Sequence, residues 1–255
     1  MNFLNLPERT KKSRAYGLTS IVDFGIPVGI VREYLKDYSD FIDIAKIGIG
    51  TAYITPLLKK KIDLYKRFDI NPYFGGTLFE KCYYQKKLDH YFAFLKTNEI
   101  EWLEISTGTI DIPLKDRLKI VSTMKDDFHC IAEIGSKDPN KVLSPNEWKE
   151  EILSFLEAGC KFVITEGRDS GTSGIYERNG SVKTSILNEL LENIDPKKII
   201  FEAPNAKQQM YFINQIGANV NLGNVKLSDV LVLEAERVGL RSETFYLEDQ
   251  SCILH

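Results

Sequence analysis

The sequence predicts an α/β fold, a single (β/α)8 barrel of the TIM type spanning residues 1–255 as one domain. Three observations carry this reading. The length, 255 residues, is that of one such barrel. Short apolar, β-branched runs alternate eight times with helical patterns, with short connections and no linker, which is the grammar of a parallel sheet. Charged or polar residues recur at the C-terminal tips of those runs, where a barrel gathers its chemistry. No G-x-G-x-x-G follows a strand, which counts against a dinucleotide fold.

The elements follow in order. Residues 1–16 are polar and mixed, an arm closing the base of the barrel. Residues 18–23 form the first strand, and Pro27 opens a helix with Val28, Val31 and Leu35 on one face. Residues 42–45 form the second, ending in Lys46; Thr51 then caps a helix carrying Ile54, Leu57, Leu58, Ile62 and Tyr65. Residues 70–74 form the third, and Thr77 with Glu80 makes a capping box for one helix running towards Lys96. Residues 100–105 form the fourth, and Pro113 opens the next helix. Residues 128–134 form the fifth, with Glu133 near its end and Lys137 just beyond. Ser144, Pro145 and Glu147 make a second capping box, and Gly159 stops that helix. Residues 162–164 form the sixth, delivering Thr165, Glu166 and Arg168 into a glycine-rich loop. Residues 181–194 are helical by period, and residues 199–201 form the seventh strand. Asn205 caps a helix that Gly217 ends. Residues 219–222 form the eighth strand, with Gly223 and Asn224 as the turn after it. Ser228 starts the last helix, Gly239 ends it, and residues 240–255 form a tail.

Composition excludes several classes of function. Apolar residues make up 43 %, enough for a large core. The formal net charge is −3 with both signs mixed, which gives no footing for nucleic acid or an anionic membrane. No apolar run approaches the roughly 20 residues of a membrane span. The first residues, MNFLNLPERTKKSR, lack a signal-peptide core, so a cytoplasmic location is expected. Four scattered cysteines without metal spacing read as reduced thiols, and three dispersed histidines offer no triad.

The strand tips collect Asp23, Lys46, Glu104, Glu133, Lys137, Glu166, Arg168, Glu202 and Asn221, which a barrel would bring to one mouth. Glu104, Glu133, Glu166 and Glu202 cannot all be ionised at close range without a cation or a proton. Two readings stay open: a hard divalent ion such as Mg²⁺, or a structural ion network with Lys46, Lys137 and Arg168. Those three cations also point to an anionic substrate, with Arg168 suited to bidentate binding. Backbone N–H groups at Gly75-Gly76-Thr77, Gly108-Thr109 and Gly223-Asn224 are candidates for cradling a phosphate. The loop over residues 167–180 is long for a barrel and reads as a lid, with Arg168, Asp169, Ser170 and Tyr176 closing on substrate.

Several motifs together resemble one family. They are KIGIGTAY (46–53), FGGTLFE (74–80), EISTGTIDIP (104–113), EIGSKDP (133–139), ITEGRDSGTSGIY (164–176), FEAPNAKQQMYFI (201–213) and NLGNV (221–225). In this order they resemble the phosphosulfolactate synthases, over about residues 17–239. The resemblance extends to plant heat-stress-associated proteins. It implies a (β/α)8 barrel that uses Mg²⁺ and adds sulfite to phosphoenolpyruvate, giving (R)-2-phospho-3-sulfolactate for coenzyme M or sulfolactate synthesis. It also implies a homo-oligomer, a trimer. In this chemistry Lys137 is the candidate general acid, Lys46 the second choice, and Arg168 the anion clamp. Gly76, Thr109, Asn221, Gly223 and Asn224 are the candidate substrate contacts, and Glu104, Glu133, Glu166 and Glu202 the candidate metal ligands. Two alternatives stand beside it: a catalytically silent barrel of the family, and a Schiff-base aldolase using Lys46 or Lys137.

Overall fold

The computed structural model describes residues 3–136 and 143–247. Eight parallel strands close into one barrel in sequence order, each pairing with the next and β8 with β1. The strands are β1 Thr19–Asp23, β2 Ile44–Ile47, β3 Asn71–Phe74, β4 Trp102–Ile105, β5 His129–Ile134, β6 Phe162–Thr165, β7 Ile199–Glu202 and β8 Leu222–Lys226. Around them lie α1 Val28–Tyr38, α2 Leu58–Arg67, α3 Gly76–Tyr84, α4 Leu88–Thr97, α5 Leu114–Met124, α6 Pro145–Ala158, α7 Thr184–Asn193, α8 Ala206–Ile216 and α9 Val230–Arg237.

Strand periodicity sorts side chains into two cores. Ala45, Ile47, Leu103, Ile105, Ala132, Ile134, Val163 and Phe201 belong to the cluster shared with the helices. Their neighbours Ile44, Tyr73, Trp102, Ile131, Phe162, Ile164 and Ile200 fill the barrel interior with Leu18. Trp102 and Phe162 stack there, 6.0 Å apart and 7° from parallel. Two residues on from five of these inward side chains come Lys46, Glu104, Glu133, Glu166 and Glu202, all buried. The interior is therefore apolar below and ionic above, and the period of two places the boundary.

The arm over residues 3–16 does close the base. Arg9 pairs with Glu234 at 2.9 Å, and Lys12 donates to the carbonyls of Ser39 and Phe68. The capping box at Ser144 and Glu147 forms, Asn205 caps α8, and Gly159 ends α6 in the left-handed region. Four sequence readings are corrected. Thr51 opens only a one-turn 3-10 helix, and α2 starts at Leu58, leaving Ile54 and Leu57 exposed. The stretch towards Lys96 breaks into α3 and α4 around Lys86, which takes a left-handed φ of 55°. Gly75, and not Thr77, precedes α3, so there is no capping box and Glu80 turns elsewhere. The eighth strand starts at Leu222, so Gly223 and Asn224 lie inside it and are not a turn.

Candidate active site

Of the predicted strand tips, Lys46, Glu104, Glu133, Glu166, Arg168 and Glu202 come together at the C-terminal end of the barrel. A cavity of about 190 Å³ there is lined by Lys46, Gly76, Thr77, Thr109, Glu133, Glu166, Arg168, Asp169, Glu202 and Asn224, among others. A larger hollow of about 710 Å³ lies beside the loops after β5 and β6. It carries none of the charged residues at the strand tips, so the chemistry belongs to the smaller one.

Lys46 stands at the centre. Its Nζ lies 3.3 Å from Glu104 Oε1, 3.0 Å from Glu133 Oε2 and 3.3 Å from Glu202 Oε1. Burial works against its charge, but Glu104, Glu133 and the other neighbouring anions outweigh it, so its pKa rises well above the ordinary value. Lys46 is a fixed ammonium. Glu104, fully buried, lies below the cavity wall; its Oε1 accepts from Gly76 N at 3.0 Å, and its buried Oε2 has no hydrogen-bond donor among the described residues. Desolvation first, then the neighbouring carboxylates against Lys46, push the Glu104 carboxyl up to about 8. Glu166 Oε1 accepts from Arg168 N at 2.7 Å, and Glu202 Oε2 from Gly167 N at 2.9 Å, so two of the carboxylates also shape the loop after β6.

Strain gathers here. Ile49, Arg168 and Asn224 are non-glycine residues at φ 47°, 57° and 54°, and all three line the cavity. Such conformations cost about 1–3 kcal/mol each and persist where the surroundings enforce them, commonly at functional sites. Gly76 meets the opposite demand, close approach: a Cβ there would sit 2.3 Å from Ser106 Cβ and 2.5 Å from Glu104 Oε1.

Other candidates fall differently. Asn221 lies at the base, where its side chain accepts from Leu18 N and donates to the carbonyls of Lys197 and Ile199, each at 3.0 Å. It is a structural clasp, removed from any substrate at the mouth. Gly223 faces β7 inside the sheet, where a Cβ would meet Ile200 Cγ2 at 3.1 Å. The N–H groups of Gly75, Gly76, Gly108 and Thr109 are already bonded, to Ile47 O, Glu104 and Glu80, so these four are not free to cradle a phosphate. Thr77 and Thr109 still line the wall. Asp23 is locked by Lys61 at 2.7 Å and by Tyr65, and it serves the β1–α1 turn. Lys137 lies outside the described residues.

The loop after β6 is less free than a lid. Buried Gln208 donates to the carbonyls of Gly171 and Gly180, and Tyr176 is buried with its hydroxyl on Glu202 O. Arg168 and Asp169 face the cavity; Tyr176 anchors the loop from behind. Sequence reasoning also missed Ser106, buried with its Oγ 2.6 Å from Glu80 and 2.9 Å from Glu133. Its place two residues beyond Glu104 keeps the inward period, which is the one signal that could have found it.

All the donors are oxygens, the set a hard cation takes. Lys46 Nζ holds the point where Glu104, Glu133 and Glu202 converge. Among the described residues no group of three or more His, Cys, Asp or Glu side chains is placed to hold a metal ion. The residues present therefore offer a hard cation at most one or two carboxylates, with the rest of its shell left to substrate and water.

Among the described residues no helix is long and apolar enough to cross a membrane. Among solved structures the chain is similar to 3-hexulose-6-phosphate synthase, with a TM-score of 0.54 at 13 % identity, covering 86 % of this chain and 98 % of that one. At such identity the likeness shows the barrel alone. Sequence relatives are nearer. A phosphosulfolactate synthase of Bacillus subtilis is 41 % identical over 96 % of this chain and 98 % of its own. One of Methanothermobacter thermautotrophicus is 36 % identical over 93 % and 95 %. Residues 7–243 match the family described as (2R)-phospho-3-sulfolactate synthase (ComA), and this chain belongs to that family.

Proposed function

We propose that this chain, a lyase working in the synthetic direction, joins sulfite to phosphoenolpyruvate to give (R)-2-phospho-3-sulfolactate, with Mg²⁺ as its cofactor. The observation that carries the reading is Lys46 fixed among strand-end carboxylates, with Arg168 at the rim of a cavity sized for small anions. The reaction forms one bond: the sulfur lone pair attacks C3, the double-bond pair moves onto C2 and its carboxylate, and C2 takes a proton. The C2–O–phosphate bond stays intact, and no hydride moves.

When bound, Mg²⁺ would be held by carboxylates among Glu133, Glu166 and Glu202, and supplies Lewis-acid stabilisation where charge develops. Such a cation also answers an electrostatic need, because two anionic substrates must enter a wall of carboxylates. Arg168 clamps a substrate anion through its paired N–H groups. Asn224, Thr77 and Thr109 offer polar contacts along the same wall. Lys46 keeps its protons too firmly to be an acid, so its role is to hold the carboxylates together. In this reading the proton on C2 comes from Lys137, the general acid that the sequence puts first. The same pKa shift disfavours a Schiff base on Lys46, which needs a neutral amine. A cytoplasmic location and a homo-oligomer belong to the same proposal; light scattering on the purified chain tests the second.

The deciding experiment mixes the protein with phosphoenolpyruvate, sulfite and Mg²⁺ and follows loss of the enol absorbance. Consumption should stop with chelator and in a folded Lys137→Ala variant. No consumption by the parent protein sinks the reaction, and undiminished turnover in Lys137→Ala sinks the proton donor.

A further inference from the structure

We infer that Glu80 is a positioning residue for this reaction, holding Thr109 directly, and Glu133 through Ser106, from behind the cavity wall. The inference rests on the sulfite-addition reading. Glu80 sits on α3, is 2 % exposed, and does not line the cavity. Its Oε1 accepts from Ser106 Oγ at 2.6 Å and from Gly108 N at 2.9 Å; its Oε2 accepts from Thr109 N at 2.9 Å. No Lys or Arg pairs with it among the described residues. Its charge is met by an inward-turned hydroxyl and two backbone N–H dipoles, which makes these strong, charge-assisted bonds.

The helix gains nothing from this residue, since Glu80 caps no helix end. Burying a carboxylate is costly unless its bonds are all made. The beneficiary is the β4–α5 loop, which carries Thr109 into the cavity. The second arm runs through Ser106, whose Oγ also lies 2.9 Å from Glu133 Oε1, so that its single hydroxyl proton is shared between the two carboxylates. Gly76 lets α3 press close enough to Ser106 for this clasp to form. One carboxylate thus ties a backbone turn to a carboxylate that touches Lys46, and a shift of Glu80 moves both.

The test uses Glu80→Gln, Ser106→Ala and their double variant in the full chain. An amide in place of the carboxylate sets an NH₂ against a backbone donor, releasing the loop. Displacement of catalytic groups by about 1 Å costs about a hundredfold, so Glu80→Gln should lose at least tenfold in kcat/KM, with kcat falling and KM for phosphoenolpyruvate rising. Ser106→Ala, which cuts the Glu133 arm and leaves both backbone N–H bonds to Glu80 in place, should lower kcat and leave that KM within about twofold. The double variant should lose no more kcat than Glu80→Gln alone. Hydrogen exchange at the Gly108 and Thr109 amides, read without any turnover, should quicken in Glu80→Gln. If the parent lacks turnover, the reaction reading has failed and exchange alone judges the clasp. Unchanged exchange, or a Ser106→Ala variant with the parent's kcat, or fully multiplied losses in the double variant, overturns the inference. If Glu80→Gln does not fold, kcat of Ser106→Ala decides.

Discussion

Replacing Lys46 by methionine keeps the length of the side chain and removes its charge. In the parent, Nζ lies 3.0–3.3 Å from three buried carboxylates. At an effective dielectric of about 20, each contact at that range is worth about 5 kcal/mol before desolvation is charged against it. Removing one partner of a buried ion pair costs about 3–5 kcal/mol net, because the carboxylates that faced this ammonium lose its charge while still buried. In a chain of this size 1 kcal/mol moves the melting temperature by roughly 2–4 °C, so the variant should melt about 6–20 °C lower near pH 8. The deficit must depend on pH. Without the ammonium, the folded-state pKa of Glu104, already raised to about 8, rises further above its unfolded value. Stability from such groups is fully present below the unfolded pKa and is lost as pH rises through the folded one. Scanning calorimetry at pH 5, 7 and 9 should therefore show the gap between parent and variant widening with pH. A variant melting within about 2 °C of the parent at all three values would refute the assignment of Lys46 as a counter-ion of the cluster.

Two further outcomes follow from the same geometry. Asn221→Ala breaks a clasp of three hydrogen bonds at the barrel base and should cost about 1–3 kcal/mol in urea unfolding, while kcat and KM stay at the parent's values; a lost kcat would return Asn221 to the active site. Glu104, raised from 4.5 to about 8, contributes stability that is fully present below pH 4.5 and is lost as pH rises through about 8. Glu104→Gln should remove that loss, so its stability relative to the parent improves between pH 5 and pH 9, and a flat difference across that range would contradict it.

The barrel was legible because two periods agree. Inward residues recur every second position, and in β2, β4, β5, β6 and β7 the last inward residue is charged: Lys46, Glu104, Glu133, Glu166 and Glu202. A run that is apolar until its end and then ionic says which end of a parallel strand is the mouth. The failures came where local signals compete with packing. Val220 and Leu222 alternate as a strand would, and Gly223-Asn224 looks like a turn, so the eighth strand was read early. The barrel begins it at Leu222 and tolerates Gly223 inside the sheet because the Ile200 side chain stands close. That shift carries Asn221 from the mouth to the base. It is a register error, and register is set by neighbours that composition cannot show.

Glu80 shows the same competition with a different result. Thr77-x-x-Glu80 has the spacing of a capping box, and a helix does start there. The box requires the glutamate to turn back to the helix N-terminus, but the β4–α5 loop presents two N–H groups and a hydroxyl on the other side. More partners win, and the residue serves the site through the loop while the helix goes uncapped. No local pattern encodes that choice, since Glu80 and Thr109 are joined only when α3 packs over β4. The charges that touch substrate announce themselves at the strand tips, whereas the groups that aim them are recognisable only by what they hold.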